Sequence, residues 1–257
     1  MSPAQNRAFA WTMQAACAAA TISAMETIDA AQPTVEQIRE RHSALLRRLR
    51  AVAAANGHDP DRLRIVAVTK TWPVEVARAA FDAGLTRLGE SRVQEAEPKV
   101  AGLPGAEWHF IGRLQSNKAR RAVRGFAVIH SIDSLELMDR VLELAAEEGR
   151  DPRLLLQVNV SGEEAKAGIS PEALLTAARA LPSTGVIGLM TIAPMGASVE
   201  EARSIFGRLR ELRDGLEQEV GIGLPELSMG MSADAEAAAA EGATLVRIGT
   251  ALFGPRA

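Results

Sequence analysis

From Thr34 onward the chain alternates short apolar runs with amphipathic stretches. Ile38, Leu45, Leu46, Leu49 and Val52 recur at helical spacing and predict an amphipathic helix over 34–56 that ends near Gly57. Its arginines, Arg41, Arg47, Arg48 and Arg50, read as a solvated face. The β-branched run Arg64–Lys70 predicts a first strand. Pro73 then opens a helix and Gly84 closes it. Further strand-like runs are Arg87–Ser91, Trp108–Gly112, Phe126–Ile132, Arg153–Val160, Val186–Ile192, Leu227–Gly230 and Thr244–Thr250. Helices are expected between them. One covers Ser134–Gly149, with Asp133 and Glu136 at capping-box spacing, and one starts at Ser170-Pro171-Glu172. Another starts at Ser198 with Glu201 and carries the stripe Ala202, Ile205, Phe206, Leu209 and Leu212; a last one starts at Ser232. Eight strands alternating with helices over about 220 residues predict an α/β chain, a (β/α)8 TIM barrel preceded by an N-terminal helix. An open doubly wound sheet would carry G-x-G-x-x-G after its first strand, and none is present.

Residues 1–33 break the pattern. They are Ala-rich, without glycine, and Thr12, Gln14 and Thr21 interrupt their apolar run, which falls short of the ~20 apolar residues of a membrane span. They are expected to be a mobile N-terminal extension, or to precede a start at Met25, rather than to be a signal peptide. Residues 34–257 are expected to form a single domain. Composition narrows the chemistry. One cysteine excludes an internal disulfide and a Cys-based zinc cluster, and His42, His58, His109 and His130 do not stand at metal-ligand spacing. There is no tyrosine, so no mechanism here uses a phenol.

A parallel barrel gathers its chemistry at the carboxyl ends of its strands. Val66, Val68 and Lys70 share one face of the first strand. A lysine there either emerges into solvent or is held partly desolvated, with its neutral, nucleophilic amine favoured. In the last strand Leu245, Arg247 and Gly249 share a face. A guanidinium inside an apolar strand needs a partner, either a neighbouring carboxylate or an acceptor on a ligand. Strands one and eight adjoin in a closed barrel, so Lys70 and Arg247 are expected at one cavity. Segments 227–232 and 248–254 are rich in small and hydroxyl residues and follow strands seven and eight, where barrels often bind phosphate. They read as tight turns or as a phosphate cup. Lysine, arginine and cup together suit a phosphorylated aldehyde.

Several segments then resemble one family. They are Val66-Ala67-Val68-Thr69-Lys70, Leu88-Gly89-Glu90-Ser91-Arg92-Val93-Gln94-Glu95, and Trp108-His109-Phe110-Ile111-Gly112-Arg113-Leu114-Gln115-Ser116-Asn117-Lys118. With them go His130-Ser131-Ile132-Asp133, Gln157-Val158-Asn159-Val160-Ser161 with Lys166 and Gly168, Gly188-Leu189-Met190-Thr191, 227–234 and Val246-Arg247-Ile248-Gly249-Thr250. From about residue 35 to the end the chain resembles the pyridoxal 5'-phosphate (PLP) homeostasis proteins (the YggS/PROSC family), whose barrel is that of the alanine racemase N-terminal domain. The resemblance implies a fold-type III PLP site. Lys70 would hold the cofactor aldehyde as a Schiff base, Ser228, Gly249 and Thr250 the phosphate, and Arg247 would face the pyridine nitrogen. Met190 and Met229 match positions near the ring. The family usually reads G-E-N-Y-V-Q-E, so Ser91 stands for its asparagine and Arg92 for its tyrosine.

An arginine at the pyridine nitrogen donates only and stays charged, which favours the unprotonated ring, a weaker electron sink. Alanine racemase shares that arginine and relies on a tyrosine base that this chain lacks. The resemblance therefore implies a cytoplasmic carrier and buffer of PLP, releasing it to apo PLP-dependent enzymes or free amino acids. No catalytic residue, no metal, no membrane and no robust enzyme activity are expected, and the state is a monomer or weak dimer. Weak racemase-like activity on amino acids, helped by His109 or His130, is one alternative. A Schiff-base aldolase acting on a phosphorylated sugar is another, weakened because the sixth strand has no lysine. Nucleic-acid binding through Lys118, Arg120, Arg121 and Arg124 is disfavoured by the net charge of -3 and the lack of interleaved aromatics.

Overall fold

A computed structural model describes residues 32–163 and 167–255. The expectations for residues 1–31, and the motif residue Lys166, lie outside them. Eight parallel strands close into one barrel in chain order: β1 (Arg64–Val68), β2 (Arg87–Glu90), β3 (Glu107–Phe110), β4 (Val128–Ile132), β5 (Arg153–Gln157), β6 (Val186–Met190), β7 (Glu226–Ser228) and β8 (Leu245–Ile248). The helices around it are α1 (Val35–Ala55), α2 (Val74–Asp82), α3 (Val93–Gly102), α4 (Ala119–Gly125), α5 (Leu135–Glu148), α6 (Pro171–Thr176), α7 (Val199–Val220), α8 (Ala235–Ala240) and α9 (Thr250–Phe253). The fold is the (β/α)8 barrel.

Local chemistry sets most boundaries. Thr34 and Gln37 cap α1 reciprocally, as do Ser198 and Glu201 at α7. Ser134 caps α5, accepting from the Leu137 N–H; Asp133 instead faces Arg113 at 3.8 Å, which corrects the expected cap. Ser232 does not open α8 either. Asp234 stands at that position and turns back to accept from the Met231 N–H. The ladders stop two or more residues short of most expected strand ends, because the backbone turns out of the sheet there. The Trp72 N–H, for example, closes a turn onto the Thr69 carbonyl.

Apolar side chains fill two regions. The larger lies between sheet and helices. The smaller, inside the barrel, holds Val66, Val128, Leu155, Met190 and Leu245. Below it the floor is plugged by ion pairs: Arg64 with Glu226 at 2.6 Å, and Glu107 with Arg153 at 2.6 Å and Arg87 at 3.2 Å. α9 is a single turn, and α1 packs on α2, α8 and α9. It thereby takes the place of a long eighth helix. The arginines expected to form a solvated face help to fasten it: Arg41 donates to the Leu252 carbonyl and Arg48 pairs with Glu236.

Candidate functional site

The parity of β1 and β8 brings the two chemically active strand ends together. Val66 is the register partner of Arg247, and Lys70 lies two residues beyond the end of β1, half-buried at the mouth. Arg247 sits deeper and is 5% exposed. Its Nη1 donates to the Ser228 carbonyl at 2.8 Å and to Ser228 Oγ at 2.6 Å, and its Nη2 donates to the Thr191 carbonyl at 3.0 Å. No carboxylate pairs with it among the described residues, and its Nε–H and second Nη2–H have no acceptor there. Burial lowers its pKa to about 10, partly offset by Asp234, so it is cationic at neutral pH.

Below Arg247 runs a hydrogen-bonded column. Ser228 Oγ is 2.8 Å from His130 Nδ1, His130 Nε2 is 2.8 Å from His109 Nδ1, and His109 Nε2 is 2.9 Å from Glu107 Oε1. Its two ends fix the direction of every bond. Hydrogen bonds from His109 and Arg153 hold the Glu107 carboxyl down to about 2, so it only accepts. Burial lowers the pKa of His109 and pushes that of His130 well below 6.5, so both rings are neutral. His109 therefore donates from Nε2 to Glu107 and accepts at Nδ1 from His130. His130 in turn accepts at Nδ1 from the Ser228 hydroxyl, whose lone pair receives Arg247. Each proton points toward the floor.

Ser228 is fully buried, and its hydroxyl lies between His130 and Arg247. Ser232 is the second hydroxyl of the segment 227–232. It is exposed, with Oγ 3.4 Å from the Ala251 N–H, beside the N–H groups of Gly249 and Thr250, which have no acceptor among the described residues. Met229 and Met190 lie on different sides of the sheet. Met229 is buried in the layer between sheet and helices, whereas Met190 belongs to the inner cluster, because neighbouring strand residues face opposite ways. Ser91 is half-buried and lines a cavity of about 130 Å³ with Arg113, Gln115 and Lys118. Gly112 packs so closely on it that a Cβ there would lie 2.0 Å from the Ser91 carbonyl oxygen. Arg92 is exposed and paired with Glu95.

A cavity of about 330 Å³ opens at the mouth between Arg113, Gln157, Asn159, Ala167, Thr191 and Ile192. Hollows of about 440 and 730 Å³ lie outside it, against α7, and do not include Thr191; neither Lys70 nor Arg247 lines any of the three. Among the described residues no three His, Cys, Asp or Glu side chains are placed to hold a metal ion, and no helix is long and apolar enough to cross a membrane. The basic face of α4 is matched by acids: Arg120 and Arg124 pair with Glu148, and Arg121 pairs with Glu97.

Comparison with known proteins decides the family. The model described as the alanine racemase N-terminal domain matches residues 21–257. The pyridoxal phosphate homeostasis protein of Aquifex aeolicus is 43% identical over 222 residues, 84% of this chain and 97% of that protein. The chain belongs to the pyridoxal phosphate homeostasis proteins. The Pseudomonas aeruginosa member is 44% identical over 225 residues, 85% of this chain and 96% of its own. Among solved structures, PipY of Synechococcus elongatus with PLP bound is 41% identical, with a TM-score of 0.74 over 84% of this chain and 100% of that one. An alanine racemase from Clostridium difficile shares the fold alone, at 16% identity and a TM-score of 0.64 over 82% of this chain and 56% of that one.

Proposed function

We propose that this chain binds PLP reversibly, holding it as a Schiff base on Lys70 so that the vitamer is buffered and delivered. When bound, the cofactor supplies an aldehyde to which an amine adds with loss of water. The residues present fit such a group. The observation that carries the reading is Arg247, a buried cation aligned with β1 whose remaining donors no carboxylate uses. In PLP the aldehyde and the ring nitrogen lie at opposite ends of the ring. An amine at the mouth with a donor-only cation deeper in the same barrel suits that arrangement. The uncommitted N–H groups of Gly249 and Thr250, with Ser232, suit a phosphate. Met190 lines the inner wall, and Ser91 stands at the rim of β2.

The residues of the chain bind and orient, and they do not move protons at the mouth. His109 and His130, the candidates for weak racemase-like catalysis, are at most 1% exposed and bonded at both ring nitrogens. The half-buried Lys70 leaves room for an incoming amine, from a free amino acid or an apo-enzyme, to take the cofactor. Partner exchange of this kind needs no further base. We place it in the cytoplasm, as a carrier without robust turnover.

Borohydride reduction of the PLP-loaded protein followed by peptide mapping tests the attachment. Label is expected on the peptide holding Lys70, and Lys70→Ala is expected to lose both the label and the visible absorption band. Label on another lysine, or an unchanged band in Lys70→Ala, would overturn the assignment.

A further inference from the structure

We infer that Thr69, Glu90 and Lys99 are positioning residues for Lys70, acting from the opposite face of β1. The inference rests on the assignment of Lys70 made above. Glu90 and Thr69 are fully buried and Lys99 is 5% exposed. Glu90 is the last residue of β2. Lys99 enters the core on the apolar stripe of α3, in line with Val93 and Ala96. Lys99 Nζ donates to Glu90 Oε1 at 2.6 Å and to the Thr69 carbonyl at 2.8 Å, and the Thr69 hydroxyl donates to the same Glu90 oxygen at 2.7 Å.

Every polar atom of the residue before Lys70 is therefore tied down. The Thr69 N–H reaches the Gly89 carbonyl, its hydroxyl reaches Glu90, and its carbonyl accepts from both Lys99 and the Trp72 N–H. The last of these closes the turn Thr69-Lys70-Thr71-Trp72 that presents Lys70. Within it Thr71 has φ +68°, and it is the only non-glycine residue with positive φ among the described residues. A β-branched residue adopts that conformation only when its surroundings impose it.

Stability alone explains the pair poorly. A buried ion pair can usually be exchanged for apolar residues of the same volume at no loss, because desolvation cancels the attraction. What apolar residues cannot do is hold the Thr69 carbonyl. Lys99 supplies that tie, and Glu90 neutralises Lys99, so no net charge is added behind the Lys70 amine. The device fixes the direction in which Lys70 leaves the sheet.

The test compares wild type with Glu90→Leu/Lys99→Met, which removes both charges together. Its melting temperature is expected to stay close to wild type. In the PLP-free protein, hydrogen exchange of the Trp72 amide is expected to accelerate about tenfold, the factor that one net hydrogen bond corresponds to. The PLP dissociation constant is expected to rise by a similar factor while borohydride still labels Lys70. Adding Thr71→Gly, which adopts positive φ without strain, is expected to restore much of both losses, and a merely structural role would not respond to it. Should the apolar pair melt early, Glu90→Gln/Lys99→Met, which leaves an acceptor for the Thr69 hydroxyl but no donor for its carbonyl, carries the same expectations. Unchanged Trp72 exchange and unchanged affinity in a folded double variant would overturn the tether. Label away from Lys70 would instead sink the reading of the site itself.

Discussion

Two buried polar networks occupy opposite faces of the same sheet, and they treat charge differently. Behind β1, Glu90 and Lys99 meet at 2.6 Å and cancel each other, with Thr69 sharing their hydrogen bonds. Inside the barrel, Glu107 and Arg247 stand at opposite ends of a column of two neutral imidazoles and a hydroxyl. Glu107 is neutralised at the floor by Arg153 and Arg87, so the column delivers no counter-charge to Arg247. Carbonyl and hydroxyl dipoles hold Arg247 instead. The Glu90–Lys99 ion pair cancels itself in charge and its hydrogen bonds hold backbone in place, with one acceptor, Glu90 Oε2, buried and unbonded among the described residues. A cation held by dipoles still attracts an acceptor from outside. Burial alone does not separate scaffold from site; the balance of charge within each network does.

The comparison is broken most severely on the charged side. Lys99→Met alone leaves Glu90 buried without its cation, and a loss of about 3–5 kcal/mol is expected in denaturant unfolding. The apolar double variant should recover most of it, and failure to recover would mean that the two charges are not a self-cancelling pair.

A smaller effect is expected on the neutral side. His130→Leu strands the Ser228 hydroxyl and His109 Nδ1, at roughly 1–3 kcal/mol for each group left unsatisfied. It should also change the response to acid. Both histidines titrate near 6.5 when unfolded and lower when folded, so below about pH 6.5 the unfolded chain binds more protons. Stability is therefore complete above that pH and falls as pH drops, by up to ~1.4 kcal/mol per pH unit for each histidine. Urea unfolding across pH 4.5–7 should show a shallower fall for His130→Leu than for wild type. Equal slopes would mean that His130 is not neutral in the folded protein. Glu107, held down to about 2, keeps its contribution through this window and loses it only as pH falls from 4.5 toward 2.

The smallest effect sharpens the contrast with surface charge. Arg121→Ala removes an exposed pair with Glu97 and should leave the melting temperature unchanged within error.

Much of this was legible in the sequence. The β-branched and leucine runs showed eight strands because both sheet faces are covered, and the parity of β1 and β8 put Arg247 in register with Val66, on the face that Lys70 shares. Side-chain partners were harder. Ser228 and Ser232 differ little as letters, and only the column beneath Arg247 separates the buried one from the exposed one. Met229 packs between sheet and helices, a placement that strand alternation next to Ser228 anticipates. The Glu90–Lys99 pair was overlooked although a signal existed, since a lysine on the Val93, Ala96 stripe of a helix has no cheap place to go without a partner. Ser134 rather than Asp133 caps α5, and the Asp133 carboxylate lies 3.8 Å from Arg113, a placement that spacing cannot reveal.

The position of α1 bears on how the chain is made. A helix that precedes β1 seals the seam next to β8, held there by contacts such as Arg41 on the Leu252 carbonyl. During synthesis it emerges almost two hundred residues before the surface it must cover. Its seat on α2 is available early, but its seats on α8 and α9 come only with the end of the chain, so the seam beside β8 is the last part of the barrel to be covered.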